Sequence, residues 1–89
     1  MTNGTTISDA VRQLGYGFVG RLAPDRLADA LESLDFHEWG LALEALAEAL
    51  FDHQVHLAAA EVEVFEELGR RMNLEEERFT FLRELVTDR

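Results

Sequence analysis

The chain contains no cysteine, no lysine and a single proline. Without cysteine there is no disulfide framework, no thiolate nucleophile and no cysteine-based zinc site, a usage that suits a reducing compartment. Without lysine, the positive charge rests on eight arginines, which face eighteen carboxylates and leave a net charge of -10. Such a balance repels phosphate. It argues against direct contact with nucleic acid and with anionic membranes, both of which attract basic stripes or polybasic helices. No run of about 18 apolar residues exists to span a bilayer. The segment Met1 to Ser8 is polar, with no basic stretch leading into an apolar one. The expectation is a soluble, cytoplasmic protein.

What is present suffices for one fold. A chain of 89 residues, 47% apolar, closes one hydrophobic core and has nothing left for a second. Helical spacing runs throughout, with no period-two alternation bounded by hairpin signals. The fold class expected is therefore all-α, a small antiparallel bundle of about five helices in a single domain.

Ile7, Val11, Leu14, Phe18 and Leu22 recur at steps of three and four, on one face of a first helix of about four turns. Thr6 and Asp9 are its capping candidates. Pro24 sets the first turn of a second helix, which presents Leu27, Leu31 and Leu34 and ends near Asp35. Asp35 and Glu38 have the spacing of a capping box, and Leu34 and Trp39 that of a hydrophobic staple, for a third helix. Its spacing places Phe36, Trp39, Leu43, Leu46, Ala47 and Leu50 in a core sector, and Glu38, Leu41, Glu44, Ala45, Glu48 and Asp52 in the opposite one.

After a connection over Gln54 to Leu57, a fourth helix runs from about Ala58 to Met72 with Val62, Phe65, Leu68, Gly69 and Met72 inward. Its outer face is acidic. Glu66 with Arg70 and Glu67 with Arg71 have the spacing of surface ion pairs, each worth about 0.2 to 0.5 kcal/mol. Asn73 suits the turn, and Glu75, Glu76 and Glu77 suit the positive end of a fifth helix dipole. That helix carries two apolar stripes, Phe79, Leu82 and Val86 on one side and Leu74, Phe81 and Leu85 on the other. One faces the core, and the other needs a neighbour: the first helix, a second copy of the chain or a partner.

Catalytic and cofactor constellations are weak or missing. Gly15-Tyr16-Gly17-Phe18-Val19-Gly20 has the letters of a dinucleotide fingerprint but lacks the preceding strand and the βαβ unit that the motif requires. Its glycines read as close packing or as a helix end. Asp52, His53 and His56 form the one cluster with metal-ligand chemistry, without a diagnostic spacing, and read as a solvated helix end. His37 reads as first-turn surface. Ser8 and Ser33 lie in no nucleophile elbow. No catalytic, cofactor or metal residue is expected, and an enzyme is not the reading.

The stretch from Phe36 through Glu38-Trp39-Gly40 to Glu44, followed by Leu46 and Leu50, resembles the MafI-type immunity proteins of bacterial polymorphic-toxin systems. Leu68-Gly69-Arg70-Arg71-Met72-Asn73-Leu74 and Phe81-Leu82-Arg83-Glu84-Leu85 continue the resemblance in order, so that it covers about residues 22 to 86. Ala58 departs from it, standing where a serine or threonine cap is expected. The resemblance implies an antitoxin that binds and neutralises one cognate toxin domain, often a nuclease. An acidic chain suits the basic surface of such a partner.

Two faces are the candidate binding surfaces. The first is the outer sector of the third helix, where Leu41 lies among Glu38, Glu44, Glu48 and Asp52. The second is the acidic face of the fourth helix, Glu63, Glu66 and Glu67. Capping and stapling account for Glu38 and Trp39 without a partner. A self-associating scaffold, in which the second stripe of the last helix and the face around Leu41 bury against identical copies, is the alternative function, and the oligomeric state stays open.

Overall fold

The computed structural model describes residues 3–75 and 77–86, with side chains from residue 7 onward. Among the described residues it is all-α, with five helices: α1 Asn3–Tyr16, α2 Pro24–Leu31, α3 Trp39–Asp52, α4 Ala59–Arg71 and α5 Glu77–Thr80. Two 3-10 segments, Glu32–Phe36 and Phe81–Leu85, extend α2 and α5. Among the described residues there is no strand, only isolated bridges joining Val19 to Leu22 and Leu57 to Val86. No helix of the described residues is long and apolar enough to cross a membrane.

α3 is the central element, packed by α1, α2, α4 and α5. Its sequence explains the position. Ala42, Leu43, Leu46, Ala47 and Leu50 recur at helical spacing and are all buried, while the alanines let neighbouring helices approach. Val11, Phe18, Val62, Phe65, Phe79 and Leu82 close on them from the other elements and are fully buried. The Cα radius of gyration, 12.2 Å, is that of a well-packed chain of this length, about 12 Å.

Three helix ends close by the same device. His37, Gln54 and Asn73 each take a left-handed conformation, with φ of 61°, 51° and 64°. In each case the next residue's N–H donates back to the carbonyl five residues earlier: Glu38 to Ser33, Val55 to Leu50 and Leu74 to Gly69. This pairing satisfies carbonyls that a helix end would leave open. Asparagine tolerates the left-handed region best of the three, and histidine is also enriched there.

Several expectations change at these ends. α1 begins at Asn3 and ends at Tyr16, so Asp9 lies inside it, exposed, and caps nothing, while the side chain of Thr6 lies outside the described ones. Phe18 and Leu22 are buried as expected, but from the turns that follow α1. The Asp35–Glu38 capping box does not form. Asp35 belongs to the 3-10 segment, Glu38 is itself the N-cap of α3, and no side chain caps that helix. Phe36 consequently precedes the helix instead of joining its inner face, and it is 67% exposed.

Ala58 is the N-cap of α4, and its side chain has no acceptor to offer. Glu61 supplies the other half of the motif, its Oε1 accepting the Ala58 N–H at 2.9 Å. On the exposed side Glu67 pairs with Arg70, not Arg71, while the buried Glu66 pairs with Arg83. Glu75 and Glu77 are exposed, and Glu76 lies outside the described residues.

The two stripes of the last helix both find neighbours within the chain. Phe79, Leu82 and Leu85 are buried, and Phe81 meets Phe51 of α3 edge to face, with ring centroids 5.2 Å apart. The change from α to 3-10 geometry at Phe81 brings both stripes inward, since side chains three apart eclipse in a 3-10 helix.

Candidate protein-binding surface

α3 turns its core sector inward, so the opposite sector forms a ridge. Leu41 stands on it 53% exposed, a large apolar side chain in water. Glu48 and Asp52 follow two and three turns on, both exposed, and neither makes an ion pair among the described residues. They share a cleft of about 180 Å³ between α2 and α3 with Ala45, Arg26 and Asp29. Glu38 is exposed at the N-cap. Glu44 differs from the rest: it accepts a hydrogen bond from Arg78 Nη1 and so ties α3 to α5.

The second candidate face is divided by the structure. Glu63, Val64 and Glu67 are exposed on α4 and, with Ala10 of α1, line an open groove of about 620 Å³. Glu66 also lines this groove but is buried where the others are exposed. It is 7% exposed and accepts a hydrogen bond from Arg83 Nη2 at 2.7 Å. The reason is its position four residues after Val62 and three before Gly69, on the buried side of α4. Its role is to join α4 to the C-terminal 3-10 segment.

Ion pairing sorts the charges into two groups. Arg21, Arg70, Arg78 and Arg83 are committed to Glu61, Glu67, Glu44 and Glu66. The Arg21 pair is the most developed: its hydrogen bond holds the Glu61 carboxyl below its ordinary range, with help from the Ala58 N–H, and raises the Arg21 guanidinium in turn. The exposed carboxylates of α2 and α3, by contrast, are not ion-paired among the described residues, although Arg26 shares the cleft of Asp29, Glu48 and Asp52. Asp29 belongs to this set and was not singled out from the sequence. Its signal was there, four residues after Asp25 and three before Glu32 on one helix face.

Other motifs resolve into packing. Gly15 lies against Leu31, whose Cδ2 would be 3.0 Å from an added Cβ, and Gly20 takes a φ of 88° in the turn after α1. Neither glycine adjoins a strand. Among the described residues no group of three or more histidine or carboxylate side chains converges on a metal position, so Asp52, His53 and His56 do not assemble into one. Trp39 packs against the core with its Nε1 buried and without an acceptor, and the His37 ring stands edge-on to it with centroids 6.3 Å apart.

Two of the glycines in the quoted motifs, Gly40 and Gly69, lie against side chains from later in the chain. Leu74 rests on Gly40, where an added Cβ would approach its Cδ1 at 3.4 Å, and Phe79 covers Gly69. Gly69 is therefore a packing requirement, whereas the space at Gly40 would take a Cβ in ordinary contact. No family model, curated protein or solved structure matches the chain.

Proposed function

We propose that the chain is an immunity protein that captures and neutralises a basic, nuclease-type toxin domain through the outer ridge of α3. One observation carries this reading: Leu41 is 53% exposed on the same face of α3 as Glu48 and Asp52, which follow two and three turns on and are not ion-paired among the described residues. An apolar centre with a charged rim is the usual anatomy of a specific protein interface. The net charge of -10 selects a basic partner and speeds its encounter.

A nuclease surface is basic because it must neutralise phosphates. Carboxylates that occupy it compete with the substrate for the same cations, which is how a small binder without chemistry of its own silences an enzyme. The motif likeness to MafI-type immunity proteins points the same way. Of the two faces that a self-associating scaffold would use, the apolar stripe of the last helix is covered by Phe51 and the core, which leaves the face around Leu41.

The test is growth rescue in a bacterial host. A toxin fragment encoded immediately upstream, expressed alone, should arrest growth, and co-expression of this chain in the cytoplasm should restore it. Growth arrest that persists at equal or higher levels of this chain would remove the proposal.

A further inference from the structure

The junction of α1 and α2 leaves apolar surface uncovered. Tyr16 is 52% and Val19 67% exposed, and with Pro24, Leu27, Ala28 and Leu31 they line a groove of about 250 Å³ whose walls are almost wholly apolar. Gly20 lines it as well and is exposed, with nothing within 4 Å of an added Cβ. Apolar surface in a concave site is the setting in which a partner's anchor side chain is desolvated.

The surroundings of the groove identify its occupant. Ala28 and Leu31 are shared with the adjoining depression, which holds Asp29, Glu32 and Asp35 against Arg12 alone. Asp29 in turn reaches the cleft in which Glu48 and Asp52 stand with Arg26, so that across the two depressions five carboxylates outnumber two arginines. None of these five carboxylates is ion-paired among the described residues. The sequence from apolar groove to acidic ridge runs across α2 without a break.

We propose that this groove receives one large apolar side chain of a basic protein partner, whose neighbouring arginines or lysines lie over Asp29, Glu32 and Asp35. The partner's identity as a toxin rests on the reading above; the groove and its charge preference do not. A second copy of this chain is disfavoured as occupant, because each copy carries a net charge of -10 and docking would oppose acidic rims.

The experiment uses the full chain labelled with nitrogen-15 and synthetic peptides as probes. One peptide is arginine-rich with a single leucine, a second has serine in place of the leucine, and a third has glutamine in place of the arginines. The first should shift the amides of Val19, Gly20, Ala28 and Leu31, and neither of the others should do so to the same extent. Ala28→Gln, a change at an exposed helical position that narrows the groove, should weaken the first peptide by roughly tenfold or more. The same variant should leave binding of the serine peptide unchanged.

Shifts that do not depend on the leucine, or that centre on Leu41, would overturn the groove as an anchor site. So would concentration-dependent dimerisation of the free chain that moves the same amides. The two readings separate cleanly. Groove binding without growth rescue would remove the immunity function alone, and rescue unaffected by Ala28→Gln, with no peptide response at the groove, would remove the groove alone.

Discussion

Arg21 and Glu61, forty residues apart in sequence, meet through two parallel hydrogen bonds of 2.8 and 3.1 Å. Arg21 also donates to the His56 carbonyl at 2.7 Å and lies over the Phe18 ring, 4.8 Å from its centroid. One guanidinium thereby fastens the turn after α1 to the segment that starts α4.

This pair makes stability depend on pH in a stated direction. The Glu61 carboxyl is held below its ordinary value of 4.5, so its contribution is complete above that value and is lost as pH falls through the lowered one. Both side chains are partly exposed, which screens the pair and limits the cost of Arg21→Ala to about 1 kcal/mol. Urea unfolding across the acid range should show Glu61→Gln flattening the loss of stability below pH 4.5. An unchanged acid slope would mean that Glu61 titrates alike in the folded and unfolded states.

Leu43 and Phe36 should respond oppositely to truncation. Leu43 is fully buried, and Leu43→Ala should cost about 2 to 5 kcal/mol, a large share of what so small a domain has. Phe36→Ser removes a side chain that is mostly in water and should change stability by no more than about 0.5 kcal/mol. Thermal melts followed by circular dichroism compare the two, and a large loss for Phe36→Ser would return that ring to the core.

Gly69 and Phe79 should be coupled. An alanine Cβ at position 69 would lie 2.8 Å from Phe79 Cε2, so the ring must move in a site with little room. The overpacking cost, about 1 to 3 kcal/mol, outweighs the gain of about 1 kcal/mol in helix propensity. In a Phe79→Leu background the same Gly69→Ala change should lose most of its penalty, and a double-mutant cycle measures the difference. Strict additivity would contradict the contact.

Much of the fold could be read along the chain, and the failures have identifiable causes. Leu43, Leu46, Leu50, Val62 and Phe65 are buried as their spacing requires, because periodicity within a helix reports directly on its inner face. Phe36 fails because the same 100° step was extended backward across a helix start, where a 3-10 turn and the left-handed His37 reset the direction of the chain. Asn73 announced its turn, but Gln54 and His37 adopt the same conformation without a comparable signal. On the candidate surface, Leu41, Glu48 and Asp52 emerge exposed as read, since they lie opposite a strong core face. Glu44 and Glu66 are drawn away by arginines 34 and 17 residues distant, and such pairings arise only from tertiary packing.

Charge should govern the rate of partner association more than its lifetime. Steering by a net charge of -10 is screened over a Debye length of about 8 to 10 Å near physiological salt. Stopped-flow association with the toxin domain should therefore slow strongly between low and physiological salt, while dissociation changes less. An on-rate independent of salt would make the acidic surface a solubilising one.

The most direct test of the central claim is titration of the purified toxin domain's nuclease activity with this chain and with its Leu41→Ala and Glu48→Arg variants. The native chain should abolish activity at one equivalent. Each variant should require a substantial excess while melting within a few degrees of the native protein, because both positions are exposed and contribute little to the core. Full nuclease activity in the presence of excess native chain, or neutralisation by the two variants indistinguishable from native, would contradict a toxin-binding ridge on α3.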